Sequence, residues 1–140
     1  MNSPESRNVL FLCTGNACRS QIAEGWLRHL APDLVVKSAG IEAHGVNPRA
    51  VAAMRECGVD ISAQTSDIVS ARDLEQAAIV ITVCGNADDR CPPVPSGCVR
   101  LHWPIDDPAA LQGDEAEITA GFRACRDELK GRIEQFVAEL

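Results

Sequence analysis

The sequence has no apolar stretch approaching the roughly 20 residues a membrane-spanning helix needs. It has no surplus of basic residues: 13 lysines and arginines stand against 20 aspartates and glutamates, a formal net charge of -7. That balance argues against nucleic acid as a partner, because a polyanion wants a basic surface. The polar segment Met1 to Asn8 lacks an apolar region of signal-peptide length, so no export is expected and the cytoplasm is the expected location. No Cys-x-x-Cys pair occurs, which leaves zinc without its usual ligand spacing. No repeat, low-complexity tract or linker interrupts the chain, so residues 1–140 read as a single domain of ordinary size.

Cysteine, by contrast, is plentiful, with seven in 140 residues. A disulfide framework suits an exported chain with an even count. Here the count is odd and no export signal is seen, so thiol chemistry or metal binding is the better expectation. The hydrophobic fraction of 46% is enough for a core without such staples.

Hydrophobic patterning gives alternating strands and helices. The run Asn8 to Cys13 is continuously apolar after its first residue and suits a strand buried on both faces. Ser20 to Leu30 has helical spacing and ends before Pro32. Leu34 to Ser38, Ala78 to Val83 and Val99 to Trp103 read as further strands. Asn47-Pro48 opens a helix running to about Cys57 and stopped by Gly58, and a short helix is expected over Ala71 to Gln76. Pro92 to Gly97 cannot be regular. Ile118, Phe122, Cys125, Leu129, Ile133, Phe136 and Leu140 recur at intervals of three and four along a final helix. Such alternation predicts a parallel α/β sheet with right-handed crossovers, whose ligands bind beyond the carboxyl ends of the strands. Cys13 and Cys84 both fall at such ends.

The segment Cys13-Thr14-Gly15-Asn16-Ala17-Cys18-Arg19-Ser20 joins a strand to a helix. A loop of this kind can turn its N–H groups inward as an anion-binding nest, with the helix dipole behind it. Arg19 offers a planar fork to two oxygens of a tetrahedral anion, and Gly15 lets the backbone turn. The same positive field favours the thiolate of Cys13, the nucleophilic form of the side chain. The Gly-Lys-Ser/Thr ending of an ATP-binding loop is absent.

This loop resembles the active-site loop of the low-molecular-weight protein tyrosine phosphatases and of the arsenate reductases that share their fold. The likeness to the thioredoxin-coupled arsenate reductases extends further, through Gln21 to Trp26, Ser38 to Glu42, His44 to Pro48, Thr65 to Asp67, Cys84 with Cys91-Pro92, and His102-Trp103 with Asp106-Asp107-Pro108. The resemblance implies a three-layer α/β/α sandwich whose four-stranded parallel sheet has the order 2-1-3-4. It implies arsenate as substrate, with phosphate or sulfate as analogues, bound by Thr14 to Ser20. It implies Asp107 as general acid. It also implies a relay in which Cys13 attacks arsenate, Cys84 attacks the Cys13 sulfur, Cys91 attacks Cys84, and thioredoxin reduces the Cys84–Cys91 disulfide. The relay requires no cofactor. Asn16, Glu24, Ser38 and Asp67 match positions that surround a potassium ion in some relatives, or else serve as a hydrogen-bond network shaping the loop. Gln64 stands where some relatives carry a histidine.

If Gly85 to Asp89 is helical in the reduced protein, Cys84 and Cys91 lie about 10 Å apart along its axis. A disulfide needs Cα atoms within roughly 7 Å, so the segment must unwind or fold over. Gly85, Asn86, Asp88 and Asp89 are weak helix formers. Three other readings compete. One is a phosphatase acting on phosphomonoesters, although Ala109 and Ala110 follow the Asp-Pro where the phosphatases carry an aromatic, and tyrosine is absent from the chain. Another is a redox-responsive binding protein, and the third a zinc site at Cys84, Cys91 and Cys98. Cys18 reads as packing, Cys57 and Cys125 as core residues, and Asp106 as structural; Cys98 has no assigned role. His44 reads as a loop-fixing residue. A monomer is expected, since the helices leave no long apolar stripe.

Overall fold

The apolar run ahead of Cys13 forms β1 (Asn8–Cys13), buried from Val9 onward. In the computed structural model, residues 8–140 are described; Met1 to Arg7, on which the reading of a signal-free N-terminus rests, lie outside them. The other strands are β2 (Val35–Gly40), β3 (Ile79–Thr82) and β4 (Val99–His102). All pair in parallel, in the order β2-β1-β3-β4, so the expected 2-1-3-4 sheet is the one observed.

Among the described residues, five α-helices connect or flank the strands: α1 (Arg19–Leu30), α2 (Pro48–Arg55), α3 (Ala71–Gln76), α4 (Gly85–Arg90) and α5 (Glu115–Ala138). Their starts follow local chemistry. The Asn47 side chain accepts from the Arg49 N–H with Pro48 in the first turn, Ser70 and Asp73 make a reciprocal capping box on α3, and Asp114 caps α5. Helices α1, α2 and α5 pack on one another on one face of the sheet, and α3 and α4 lie against β1 on the other. The α5 stripe buries Phe122, Cys125, Leu129, Ile133 and Phe136. Phe136 and Phe11 sandwich Trp103, with centroids 5.9 and 6.0 Å away. No helix among the described residues is long and apolar enough to cross a membrane.

Three local expectations are corrected. Cys57 is exposed rather than in the core, because α2 ends at Arg55 and the chain turns outward through Gly58, whose φ is 76°. Leu140 lies beyond α5 and is 63% exposed, so the stripe stops at Phe136. β2 continues to Gly40, where its N–H donates to Asp67 O and its carbonyl accepts from Val69 N–H, partners remote in sequence.

The contact between α2 and α5 is fastened by Glu56, which accepts from both Arg123 and Arg126. Hydrogen bonds from Arg123 and then Arg126 hold the Glu56 carboxyl down at about 2. A carboxylate depressed in the folded state adds stability above its unfolded pKa, and that contribution is lost as pH falls through the folded value. Urea midpoints measured from pH 6 to pH 2 are therefore expected to fall less steeply for Glu56→Gln than for the unaltered chain, the two curves converging in the acid limb.

Candidate active site

The loop Cys13 to Ser20 is held from outside by its carbonyls. Cys13 O accepts from Ile41 N–H, Thr14 O from Glu42 N–H, Gly15 O from His44 N–H, and Ala17 O from Asn47 N–H. Gln21 Nε2 donates to Asn16 O at 2.9 Å. Because a trans peptide sets its N–H opposite its carbonyl, the loop N–H groups turn away from those donors; the loop lines a cavity of about 380 Å³. Cys13, Thr14, Gly15, Arg19, Asp107 and Ala109 are among the residues lining it. A Cβ at Gly15 would lie 2.4 Å from His44 Nδ1, so a larger residue there would push the His44 ring from its place.

Asn16 pins the middle of the loop. Its φ of 48° is the left-handed conformation, rare outside glycine but tolerated by asparagine, and it is fully buried. Its Oδ1 accepts from Asp67 N–H at 2.8 Å, and its Nδ2 donates to Ser20 Oγ at 2.8 Å and Ser38 Oγ at 2.9 Å. Ser38 in turn donates to Glu24 Oε1 at 2.6 Å. Burial pushes the Glu24 carboxyl up, against the hydrogen bond from Ser38 and the nearby Arg28 cation. The four residues expected to surround a cation or to form a network thus form a connected network.

Ser20 Oγ lies 2.8 Å from Cys13 Sγ. Because that oxygen already accepts from Asn16, its own proton is free to point at the sulfur, the arrangement a thiolate accepts. Cys18, in the same loop, is buried and its thiol is pushed up to about 12, first by desolvation and then by the nearby Asp107 charge. Its sulfur is thus disfavoured as a thiolate, although the residue also lines the cavity that holds Cys13.

Arg19 begins α1 and donates from Nη1 to Ile105 O at 3.0 Å, while its Nη2 is 3.7 Å from Asp107 Oδ2. Asp107 caps a 3-10 turn over Pro108–Ala110, its Oδ1 accepting from Ala109 N–H at 2.9 Å. The guanidinium and the carboxylate therefore line one wall of the cavity that holds Cys13.

Cys84 is buried at the N-cap of α4, where its sulfur lies 3.3 Å from both Ala87 N and Thr14 Oγ1. Thr14 Oγ1 accepts from Asn86 Nδ2 at 2.9 Å, which leaves the hydroxyl proton for the sulfur. The second cysteine is thus tied to the residue next to Cys13. Cys91 caps the other end of α4, half-buried. The six-residue helix keeps it about 10 Å from Cys84 along the axis. All seven cysteines are free thiols, and among the described residues no group of three or more His, Cys, Asp or Glu is arranged to hold a metal ion.

The model of the low molecular weight phosphotyrosine protein phosphatase family matches residues 8–140. The chain belongs to that family. An arsenate reductase of Bacillus licheniformis is 55% identical over 131 residues, covering 93% of this chain and 94% of that one. Among solved structures, an arsenate reductase in a phosphate-binding state superposes with a TM-score of 0.77 at 33% identity, covering 95% of this chain and 98% of that one. A thioredoxin-dependent arsenate reductase of Corynebacterium glutamicum gives 0.76 at 28% identity, covering 94% of this chain and 60% of that one.

Ala109, which follows the Asp107-Pro108 turn, lines the cavity with a methyl group rather than an aromatic ring. Sequence reasoning singled out His44 as loop-fixing, and its N–H does hold Gly15 O, but it missed the donors Ile41, Glu42 and Asn47 and the pair Gln21 and Gln64, joined at 2.8 Å. The one available signal was Gln21 itself, a polar residue inside the buried face of α1 beside Ile22 and Ala23. Asn16→Ala removes three side-chain hydrogen bonds and places a less tolerant residue at positive φ. It is expected to weaken inorganic phosphate binding by about tenfold or more, roughly 1.4 kcal/mol, and to lower the melting temperature. Calorimetric titration and thermal denaturation measure the two effects.

Proposed function

We propose that this chain reduces arsenate to arsenite by a relay through Cys13, Cys84 and Cys91, and that thioredoxin restores the thiols, as a step of arsenic detoxification. The observation that carries the reading is the Thr14 bridge, which sets a second, buried sulfur against the anion-binding loop that presents Cys13. A phosphatase needs no such sulfur. The relatives named arsenate reductase, matched over nearly the whole chain, support the substrate.

The loop amides and Arg19 hold the tetrahedral anion, supplying the local positive site that an acidic chain otherwise lacks. The Cys13 thiolate attacks arsenic while Asp107 protonates the departing oxygen, which leaves as water. The Cys84 thiolate then attacks the Cys13 sulfur. The sulfur–arsenic bonding pair passes to arsenic, which leaves as arsenite, and a Cys13–Cys84 disulfide remains. Cys91 attacks Cys84, freeing Cys13 and closing a Cys84–Cys91 disulfide. A dithiol partner, thioredoxin, takes that disulfide in the last exchange. Burial raises the Cys91 thiol, and closing the disulfide requires α4 to unwind or fold over.

A potassium ion would find oxygens at Glu24, Ser38 and Asp67, which line one cavity and form a hard donor set. Asn16 gives its oxygen to the Asp67 N–H and would support that site through the network. The cation would add positive charge beside the buried Glu24 carboxylate.

The alternative is hydrolysis of phosphomonoesters by the same loop and acid. The two readings separate in an assay of arsenate-dependent NADPH oxidation with thioredoxin and thioredoxin reductase. Cys84→Ser and Cys91→Ser are each expected to abolish multiple turnover while sparing any slow phosphatase activity, and Cys13→Ser to abolish both. Asp107→Asn should slow arsenate turnover by about a hundredfold or more. No oxidation above the arsenate-free blank removes the reductase reading.

A further inference from the structure

The helix that separates Cys84 from Cys91 is short, and four of its six residues, Gly85, Asn86, Asp88 and Asp89, are poor helix formers, yet it is formed. At its N-terminal end the Asn86 side chain reaches Thr14. In its C-terminal half the side-chain links to the sheet converge on Asp88. Asp88 Oδ1 accepts from Thr82 Oγ1 at 3.0 Å and from Arg100 Nη2 at 3.1 Å. The same Arg100 nitrogen also bonds the main-chain oxygen of Asp88. That oxygen is one of the last carbonyls of α4, which have no acceptor role within the helix and need an outside donor. Behind it, Thr82 and His102 face each other in the β3–β4 register, with Thr82 Oγ1 and His102 Nδ1 2.8 Å apart. Arg100 thus closes the end of α4 twice, through main chain and side chain, from a neighbouring strand.

With residue 88 in its helical conformation, one guanidinium nitrogen reaches both the carbonyl and the carboxylate of Asp88. Bringing Cys91 from about 10 Å to within disulfide distance of Cys84 takes apart that turn. The bonds from Arg100 therefore belong to the reduced state and are absent, or remade elsewhere, in the oxidised one. Interactions made in only one redox state shift the equilibrium between the two.

We infer that Asp88 and Arg100 form a latch on α4, positioning residues that hold the Cys84–Cys91 segment in its open, dithiol form and so make its disulfide easier to reduce. The inference rests on the relay reading, because it presumes that these two sulfurs join. The latch keeps Cys91 away from Cys84 until Cys84 has reacted, and it draws the product disulfide back towards dithiol when the reductant arrives.

The test equilibrates the full chain, carrying Cys13→Ser to exclude the competing Cys13–Cys84 bond, against mixtures of reduced and oxidised dithiothreitol. Acid quenching, alkylation and peptide mass analysis then give the fraction of Cys84–Cys91 disulfide. Asp88→Asn and Arg100→Ala are each expected to move the equilibrium at least threefold towards disulfide, a tenfold change corresponding to about 30 mV. Arg100→Lys, which returns one cation to the site, should recover part of the shift. Hydrogen exchange in the reduced state should quicken at the amides of residues 85–91 in the two latch variants while the β1 amides stay protected, which reports the latch independently of any disulfide. Equal midpoints and equal exchange in all variants overturn the latch and leave the relay standing. Failure of any variant, including the one with Cys13→Ser alone, to form a Cys84–Cys91 disulfide while β1 stays protected overturns the relay, and the latch with it.

Discussion

The geometry of the site depends on a division of labour within one loop, whose oxygens are pulled outward so that its N–H groups point inward. Peptide groups cannot make that choice alone, because each carbonyl turned away from the cavity needs a donor on the far side. The segment from Ile41 to Asn47 supplies most of those donors, and Gln21 supplies another from α1. Asn16 then fixes the sharpest point of the turn from within the core. The loop is therefore tied to the sheet and helix behind it, which on the proposed function would keep its dipoles aligned for a charged transition state.

The neighbouring α4 is built on the opposite plan. It has six residues, a glycine at its start and an exposed C-terminal end. Its sulfur-bearing termini are anchored by side chains, Thr14 and Asn86 at one end and Arg100 at the other. On the proposed relay, a fixed loop would serve binding and a lightly tied helix would serve thiol exchange. The first must not reorganise, and the second cannot work without reorganising.

Much of this was legible in the sequence, because the decisive elements are local. The apolar run of β1, the periodic faces of α1 and α5, the caps at Asn47 and the irregular Pro92–Gly97 stretch are each set by neighbouring residues. The strand order is not local and came from resemblance to a family. Cys13, Arg19 and Asp107, named from motif and resemblance, line a single cavity, with Cys84 alongside and Cys91 across a helix. What escaped was set by partners far along the chain: the extension of β2 to Gly40 through Asp67 and Val69, and the outside donors that orient the loop. Cys57 misled because a cysteine near a helix end resembles a core residue until the direction of the outgoing chain is known.

The outermost strand on the β4 side has its own bearing on how the chain survives in a crowded solution. β4 is four residues long and largely exposed, with no fifth strand beyond it among the described residues. An open margin of this kind is a template on which a second copy could lay a strand. Its brevity and the charged Arg100 in its middle leave an incoming segment few main-chain bonds to gain and a guanidinium to displace. The same arginine that ties down a neighbouring helix thus also blunts the sheet against aggregation.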